Sequence, residues 1–452
     1  MPAISLFDWQ IYRNLFSDGE MEDIFGERRT IESWIKVERA VARAQADLGI
    51  IPAESGAHID AELQFDRLDL ERLRQDTLEV GRPIAGLVRQ LAEQVGEGHD
   101  VWVHYGITTY DVMDTGKVLQ VRNGLDLLTN SIDHYCGVLG QLASAHRDTV
   151  MIGRTNNLHA QPTTFGAKIA NWIEEFLRHR ERLEEAKKRV LLVQFGGAVG
   201  TLASLDPLGL EFRASAAAEL GLGTPMSNWH NARDGMTEVA LCQANICASL
   251  ARIAQNLNSL SSTEIGEVSE AGEVGRGRST SMAHKRNPRA AEFAEAVARL
   301  GRQRATGMVE VMGQEHDRCG GTWISEWMLL PETFLLTSGA LRWAINLVER
   351  LDVHPEQMAR NIDLTRGLAL TERFTLALAA RMSKFEARRL LDSACARVRE
   401  ENTTLVDALG TMPEVLAVMS RAEIEELSDS ATYVGSASQI VDNVLDMARR
   451  RQ

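Results

Sequence analysis

Three long stretches with a helical hydrophobic period and no proline constrain the fold of this chain most strongly. They run over residues 116–146, 164–193 and 231–264. In the third stretch, Leu250, Ile253, Leu257 and Leu260 recur at steps of three and four residues, which places them on one helix face. The 452 residues include only 10 prolines, roughly 2% against a usual share of about 5%. Because no region alternates like short strands between turn residues, the sequence predicts an all-α protein.

Changes in helix length divide the chain into three predicted domains. Residues 1–115 contain short helices broken by loops, for example at Pro52, whose ring disfavours helical backbone in the preceding residue. Residues 116–364 carry the long helices, which are apolar on more than one face, as expected for a central bundle or an oligomer core. Residues 365–452 return to shorter helices punctuated by Gly410 and Pro413.

The composition excludes several classes of protein. The 49 Lys and Arg residues against 63 Asp and Glu give a net charge of −14, and without a basic run no nucleic-acid partner is expected. The chain shows no basic leader followed by an apolar segment and no run of 18 uncharged apolar residues, so we expect a cytoplasmic protein that does not enter a membrane. Neither the five cysteines nor the 11 histidines have a metal-binding spacing. We therefore expect buried thiols and no metal.

Two polar segments precede the long helices. Residues 102–115 place His104 beside Thr108 and Thr109, whose hydroxyls suit either a helix cap or an anion at the helix N-terminus. Residues 153–164 form a second polar loop that includes His159, and a lone histidine of this kind is more often structural than catalytic. For the first segment, a helix cap and an anion site both stay open. For the second, a structural and a catalytic role of His159 both stay open.

A third segment has the composition of an anion site. Residues 275–288 read GRGRSTSMAHKRNP, with three consecutive hydroxyls, several cationic groups and an amide. Small residues let backbone N–H groups approach a carboxylate, and a lysine supplies a point charge without a fixed plane. A phosphate-binding loop, a dinucleotide fingerprint and a Gly-x-Ser-x-Gly elbow are all missing from the sequence. Together the three segments predict one composite site for an anionic substrate.

These segments, in this order, resemble the three signature regions of the fumarase/aspartase superfamily. Residues 279–288 are similar to the pattern Ser-Ser-x-Met-Pro-x-Lys-x-Asn-Pro, in the His-Lys-Arg-Asn-Pro form of adenylosuccinate lyases and 3-carboxy-cis,cis-muconate cycloisomerases. Residues 102–115 resemble adenylosuccinate lyases. Three other segments, residues 194–203, 326–332 and 433–437, resemble the cycloisomerases. The resemblance implies a three-domain all-α fold, a homotetramer with each active site shared by three subunits, and no cofactor.

The resemblance also implies a reaction and a set of site residues. The reaction is an elimination across a Cα–Cβ bond of a succinyl-type substrate, most often releasing fumarate. Ser279 would be the base, Lys285 would hold the substrate carboxylate, and His104 would be the imidazole that faces the site. The residues expected to bind the rest of the substrate are Thr108, Thr109, Asn156, His159, Gln161, Asn231, Thr280, Ser281, Met282 and Asn287.

The chain departs from adenylosuccinate lyases at positions that matter for the substrate. Asn156 stands where those enzymes have a histidine acid, and Trp327 where they hold an arginine for the nucleotide phosphate. Adenylosuccinate itself is therefore not the expected substrate. An amine leaving group must be protonated to depart. Either His104, His159 or another group supplies that proton, or the leaving group is already a good one.

We therefore predict a cofactor-free lyase, most directly a C–N lyase, that eliminates fumarate from an N-substituted aspartate or a similar succinyl compound. The alternative is a 3-carboxy-cis,cis-muconate cycloisomerase. Resemblance along nearly the whole chain favours the cycloisomerase, whereas divergence at Tyr110, Arg278 and Ala283 favours a specialised lyase. A catalytically silent structural protein is a third possibility, and retention of Ser279 and Lys285 speaks against it.

Overall fold

A computed structural model of the chain describes residues 6–12, 14–271, 277 and 281–451. Helix accounts for 69% of the chain and strand for 5%, which confirms the predicted all-α class. In these ranges the α-helices are α1 (Gly19–Phe25), α2 (Glu27–Asp47), α3 (Ala53–Glu62), α4 (Leu70–Val80), α5 (Pro83–Val95), α6 (Thr109–Ala145), α7 (Phe165–Val190), α8 (Gly209–Leu220), α9 (Asp234–Leu260), α10 (Arg289–Val311), α11 (Gly320–Glu349), α12 (Pro355–Asp363), α13 (Thr371–Ala379), α14 (Lys384–Glu400), α15 (Leu405–Leu409), α16 (Pro413–Leu416), α17 (Arg421–Leu427) and α18 (Ala437–Arg451).

The long helices α7 and α9 lie within the predicted stretches 164–193 and 231–264, whereas α6 begins at Thr109, seven residues before the predicted start at 116. Helix α6 has 37 residues, α7 has 26 and α9 has 27. Helix α11 is a further long helix of 30 residues, and it continues through Pro331. A proline removes one backbone hydrogen bond from a helix interior. Here Leu330 and Phe334 beside it are fully buried, so packing of the apolar side chains holds the helix together across that gap.

Two small antiparallel hairpins interrupt the helical fold. Strand β1 (Val150–Thr155) pairs with β2 (Leu158–Thr164), and β3 (Val268–Glu270) pairs with β4 (Leu351–Val353). The expectation of a polar loop at 153–164 is therefore wrong, because these residues form most of the first hairpin. Its two turn residues, Asn156 and Asn157, have φ of 50° and 63°, which is the backbone of a two-residue type I′ turn.

The chain divides into two compact units, each assembled from separate stretches of sequence. The first unit is made of Met1–Ser131, His179–Ala251 and Phe293–Arg342, and the second of Ile132–Arg178, Arg252–Glu292 and Trp343–Gln452. The division into three domains at 115 and 364 stays a prediction.

Each unit has its own apolar core. In the first unit one face of α2 is buried, since Val37, Val41 and Ala44 are at most 1% exposed, with Trp34 and Leu48 packed at the edge. In the second unit the short helices α13 to α17 bury a core that includes Leu378, Leu390, Leu405, Leu409 and Ile424. Full burial of a leucine or valine side chain contributes about 1.5–3 kcal/mol. These contacts are what makes such short helices stable.

No helix in the described ranges combines the length and the apolar character needed to cross a membrane. All five cysteines are free thiols; Cys136, Cys242 and Cys247 are buried as predicted, whereas Cys319 and Cys395 are half-buried.

Candidate functional site

His104 lies in the first unit, held against a carboxylate from a distant part of the sequence. Its backbone has φ of 61°, and its Nδ1 is 2.6 Å from Glu38 Oε1 of helix α2. The Glu38 side chain is 2% exposed and the His104 side chain 19%. Burial acts to lower the pKa of His104, but the charge and hydrogen bond of Glu38, helped by Asp111, raise it above its ordinary value. The imidazole therefore keeps its proton to a higher pH than an ordinary histidine does.

Asp111 joins three polar segments of the first unit. Its Oδ2 accepts hydrogen bonds from the backbone N–H groups of Thr108 and Gly197, each at 3.0 Å. Its Oδ1 accepts one from Gly196 N–H at 3.0 Å and lies 3.4 Å from His230 Nε2. The carboxylate is fully buried. A buried acceptor that collects donors from the start of α6, the Gly196 loop and the segment before α9 fixes these segments relative to one another.

The hydroxyls of Thr108 and Thr109 stand where α6 begins. The capping bond at this end runs from Thr108 N–H to the Asp111 side chain, so the expectation that a threonine hydroxyl caps the helix is not met. Within the described part of the chain, neither hydroxyl makes a hydrogen bond, and both residues are only half-buried. Both hydroxyls therefore remain available to an anion at the positive end of the helix.

Asn231 sits next to a buried cluster of charges. Arg233 donates two hydrogen bonds to Asp114, at 2.9 and 3.1 Å, and two to Glu326, at 3.0 and 2.5 Å. All three of these charged residues are at most 2% exposed. The Asn231 side chain, two residues before Arg233, donates to the carbonyl of His316 at 2.6 Å. The cluster thus fixes the backbone that carries Asn231, while the Asn231 amide nitrogen is already engaged.

Lys117 completes the charge balance of this cluster. Burial lowers the pKa of its ammonium to about 8, and the charges of Glu326 and Asp114 oppose that shift. With Arg233 and Lys117 protonated, two cations face two carboxylates. A neutral cluster of this kind avoids the large cost of an unpaired buried charge.

Trp327, which stands where the resemblance places an arginine, belongs to an aromatic wall. It packs edge-on against Trp323, with ring centroids 5.0 Å apart, and Trp323 stacks on Tyr110 at 3.7 Å. The guanidinium of Arg82 lies 5.5 Å from Trp323 and 5.4 Å from Trp327, and that of Arg318 lies 4.7 Å from Tyr110. The positive charge at this position is therefore supplied by arginines from other segments, held over aromatic faces.

The hairpin of the second unit carries Asn156, His159 and Gln161. Asn156 is exposed at the turn. His159 pairs across the strands with Arg154, and burial together with the Arg154 charge lowers the pKa of its imidazole, against Glu267. His159 therefore loses its proton at a lower pH than an ordinary histidine does. The Gln161 amide donates to the Glu372 carboxylate, so that donor is occupied.

The segment 281–288, also in the second unit, closes on a glycine. The backbone N–H and the side-chain amide of Asn287 both donate to Gly277 O, at 2.8 and 3.0 Å. Gly277 has φ of +66°, and a Cβ there would lie 2.6 Å from the Asn287 carbonyl oxygen, so only glycine fits. Lys285 is exposed at the surface of this unit.

Helix α10 follows this segment directly. The Glu270 carboxylate caps its first turn by accepting from Ala290 N–H at 3.1 Å and Ala291 N–H at 2.9 Å. This cap anchors the end of the 281–288 segment.

The predicted site residues are thus distributed over both units. The first unit holds His104, Thr108, Thr109 and Asn231; the second holds Asn156, His159, Gln161, Ser281, Met282, Lys285 and Asn287. Ser281 and Met282 are exposed. Ser279 and Thr280 lie outside the described residues, so the base and one predicted binding residue have no structural description. In the described ranges, no group of His, Cys, Asp and Glu side chains is arranged to hold a metal ion.

Sequence reasoning missed the residues that support these side chains. Asp111 lies inside the 102–115 segment and Arg233 inside the 231–264 stretch, and the usable signal at Asp111 was a charged residue between Tyr110 and Val112. Glu38 lies 66 residues before His104, and nothing local to either residue indicates that they meet.

Comparisons with known proteins agree with this description. Residues 16–300 match the family model described as lyase, and residues 367–444 match the one described as adenylosuccinate lyase C-terminus. A 3-carboxy-cis,cis-muconate cycloisomerase from Pseudomonas aeruginosa is 38% identical, covering 98% of this chain and 96% of that protein. An N-acetyl-S-(2-succino)cysteine lyase from Dickeya dadantii is 35% identical, over 99% of this chain and 98% of that protein. A fumarate lyase from Mesorhizobium sp. BNC1, known from its crystal structure, is 41% identical in sequence. The two structures match with a TM-score of 0.90 over 95% of this chain and 98% of that one. The chain therefore belongs to the fumarase/aspartase superfamily, in the branch of adenylosuccinate lyases and 3-carboxy-cis,cis-muconate cycloisomerases.

Proposed function

We propose that this protein is a cofactor-free lyase that eliminates fumarate from an N-substituted aspartate or a similar succinyl compound. The observation that carries the proposal is the presence of Ser279, Lys285 and Asn287 together, at the spacing of the superfamily signature. Two of the relatives, a fumarate lyase and an N-acetyl-S-(2-succino)cysteine lyase, are named for reactions of this type.

The proposed reaction begins with proton removal by Ser279. The serine takes the proton from the carbon beside one substrate carboxylate, and the electrons of the broken C–H bond move into that carboxylate. Lys285 and neighbouring N–H groups stabilise the resulting aci-carboxylate dianion. The electrons then return to form the C=C bond of fumarate, while the bond to the leaving group breaks and the leaving group departs with its electron pair. No outside oxidant or reductant is needed.

The remaining predicted residues bind the substrate in this proposal. The free hydroxyls of Thr108 and Thr109 at the start of α6 suit the second carboxylate, because a helix N-terminus favours an anion. Asn231 would bind the same part of the substrate. From the second unit the binding residues are Asn156, His159, Gln161, Thr280, Ser281, Met282 and Asn287.

His104 is the better of the two candidate acids for an amine leaving group. An acid must carry its proton at the working pH, and the pKa of His104 is raised, whereas that of His159 is lowered. General acid help contributes about 10²–10⁴-fold to a rate. A leaving group that departs as a stable anion does not need this help. Thus the dependence on His104 should be strong for amines and weak for such anions.

We further propose that the protein is a homotetramer with each active site shared between subunits. Sedimentation tests this directly: a species of four chains supports the proposal, and a monomer that retains full activity contradicts it.

The second candidate is a 3-carboxy-cis,cis-muconate cycloisomerase, favoured by the 38% identity to the Pseudomonas aeruginosa protein. One experiment separates the two. The protein is incubated with a panel of N-substituted aspartates and related succinyl compounds, and fumarate is followed by its absorbance; in parallel, loss of the muconate absorbance is followed with 3-carboxy-cis,cis-muconate. Fumarate release supports the lyase, and muconate consumption alone supports the cycloisomerase.

A further inference from the structure

The first unit contains a cavity of about 460 Å³. Its walls come from helices α1, α2 and α6, and three cationic side chains line it, those of Arg29, Lys36 and Arg122. A cavity of this size is large enough for a small organic molecule. Of the described residues that we propose to bind the lyase substrate, none lines this cavity.

The two carboxylates in the wall of this cavity are already engaged. Asp23 and Glu32 accept hydrogen bonds from Arg29, at 3.0 and 3.2 Å. Glu32 also accepts one from Arg28 at 2.8 Å. Both carboxylates are therefore held at the α1–α2 side of the cavity by arginines.

Arg122 uses only part of its guanidinium group. Its Nη1 donates to the carbonyl oxygens of Leu220 and Gly221, at 3.0 and 3.3 Å, where helix α8 ends. Among the described residues, no carboxylate oxygen lies within 4.0 Å of this guanidinium group, and its Nε and Nη2 donate no hydrogen bond. These two nitrogens have the geometry to bind two oxygens of one oxyanion.

Lys36 is the second cation without a carboxylate partner. In the described part of the chain, its ammonium makes no hydrogen bond and has no carboxylate oxygen within 4.0 Å. Burial, followed by the charges of Arg122 and Arg43, lowers the pKa of Lys36. Lys36 and Arg122 are thus close enough to repel each other, and an anion bound by both would offset this repulsion.

Two amide side chains of α6 also line the cavity and can accept hydrogen bonds. Gln120 is 3% exposed, and its Nε2 donates to Ile24 O and Thr30 Oγ1, both at 2.8 Å, while its Oε1 has no donor. The exposed Asn123 amide makes no hydrogen bond to any described residue. We therefore expect a ligand that carries hydroxyl donors beside its anionic group.

We propose that this cavity binds the phosphate monoester of a small hydroxylated molecule, with the phosphate held by Lys36 and Arg122 and the hydroxyl groups by the amides of α6. A phosphate monoester carries about two negative charges near neutral pH. That charge matches the two cations that have no ion pair, whereas a single carboxylate would match only one. The site is separate from the residues of the proposed lyase reaction, so either proposal can fail without the other.

Titration calorimetry of the full-length protein with glycerol 3-phosphate tests the site. The wild type should bind it, and Lys36→Met should bind it at least about tenfold more weakly, because a hydrogen bond between charged groups is lost. Lys188→Met is the matched control, since Lys188 is an exposed lysine of the same unit and is paired with Glu185. It should bind like the wild type.

A second variant and a second ligand test the amides and the folding of the variants. Asn123→Ala keeps both cations, and it should bind glycerol 3-phosphate at least about twofold more weakly while its binding of inorganic phosphate stays unchanged. Both variants should melt no lower than the wild type, because neither breaks an ion pair or hydrogen bond of the described residues.

Lys285→Met separates this site from the proposed active site. It removes the cation of the active site and should leave the binding of glycerol 3-phosphate within about twofold of the wild type. The inference is overturned if the wild type does not bind glycerol 3-phosphate, if Lys36→Met binds it as tightly, or if only Lys285→Met loses it. It is also overturned if inorganic phosphate binds as tightly as glycerol 3-phosphate.

Discussion

Replacing Glu38 with glutamine removes the negative charge beside His104 while keeping the size of the side chain. Glu38 Oε1 and His104 Nδ1 are 2.6 Å apart, and both side chains are largely shielded from water, at 2% and 19% exposure. A hydrogen bond to a charged group contributes about 1.5–3 kcal/mol. We therefore expect the variant to lose about 1.5–3 kcal/mol of stability at a pH where His104 is protonated in the wild type.

The loss should depend on pH in a definite direction. Burial alone would lower the pKa of His104, whereas Glu38 raises it above its ordinary value, which is about 6.5. A raised folded-state pKa stabilises fully below the unfolded-state pKa, and this contribution is lost as the pH rises through the folded-state pKa. The destabilisation by Glu38→Gln should therefore be larger at about pH 6 than at about pH 9.

Two measurements test this reasoning. An NMR titration with isotope-labelled histidine, assigned by comparison with His104→Gln, should show a lower pKa for His104 in Glu38→Gln, and melting curves at both pH values should show the pH-dependent loss. Glu27→Gln is the control, because Glu27 is exposed on the same helix. An unchanged pKa of His104, or an equal loss of stability at both pH values, would refute the assignment.

Two other substitutions test the packing around the site. Arg233→Met leaves two buried carboxylates without their partner and should lower the free energy of unfolding by about 3–5 kcal/mol, measured with a denaturant. Arg189→Met breaks an exposed ion pair and should lower it by at most about 1 kcal/mol. Equal losses of stability in the two variants would contradict the account of the cluster. Gly277→Ala places a Cβ 2.6 Å from the Asn287 carbonyl oxygen and should reduce turnover while the melting temperature stays near that of the wild type. Gly321→Ala, with no atom within 4 Å of the added Cβ, is the control, and full activity in Gly277→Ala would show that the loop geometry is not needed.

The helices could be predicted because their signal is local and repeated. A periodic apolar face along a helix of 27 residues, such as α9, outweighs weak preferences at single positions. Pro331 shows the limit of the proline argument, since α11 runs through it. Whether a proline ends a helix depends on how much apolar surface the neighbouring side chains bury. The position of the proline in the sequence does not reveal that.

The β1–β2 hairpin could have been predicted from a signal that was not used. Two adjacent asparagines between polar strands favour positive φ at both positions, and Asn156 and Asn157 adopt it. The same geometry gives a physical reason for asparagine at 156, where the resemblance expects a histidine. A β-turn requirement can thus compete with a catalytic one at a single residue.

The contacts that support the candidate site could not be predicted. Glu38 meets His104 across 66 residues and Arg233 meets Asp114 across 119. Such pairs depend on how the helices pack, and one sequence contains no local pattern that reports it. The motif residues themselves were recognisable because each segment concentrates hydroxyls, amides and cations within about a dozen positions.

Fumarate release from succinyl substrates by the wild type and by Ser279→Ala tests the central claim most directly. Ser393→Ala, at an exposed serine of α14, is the matched control. The account predicts that the wild type and the control release fumarate at the same rate, and that Ser279→Ala is slower by about 10²–10⁴-fold, the usual contribution of a general base. Fumarate release by Ser279→Ala within a few-fold of the wild type, or consumption of 3-carboxy-cis,cis-muconate with no fumarate from any succinyl compound, would contradict it.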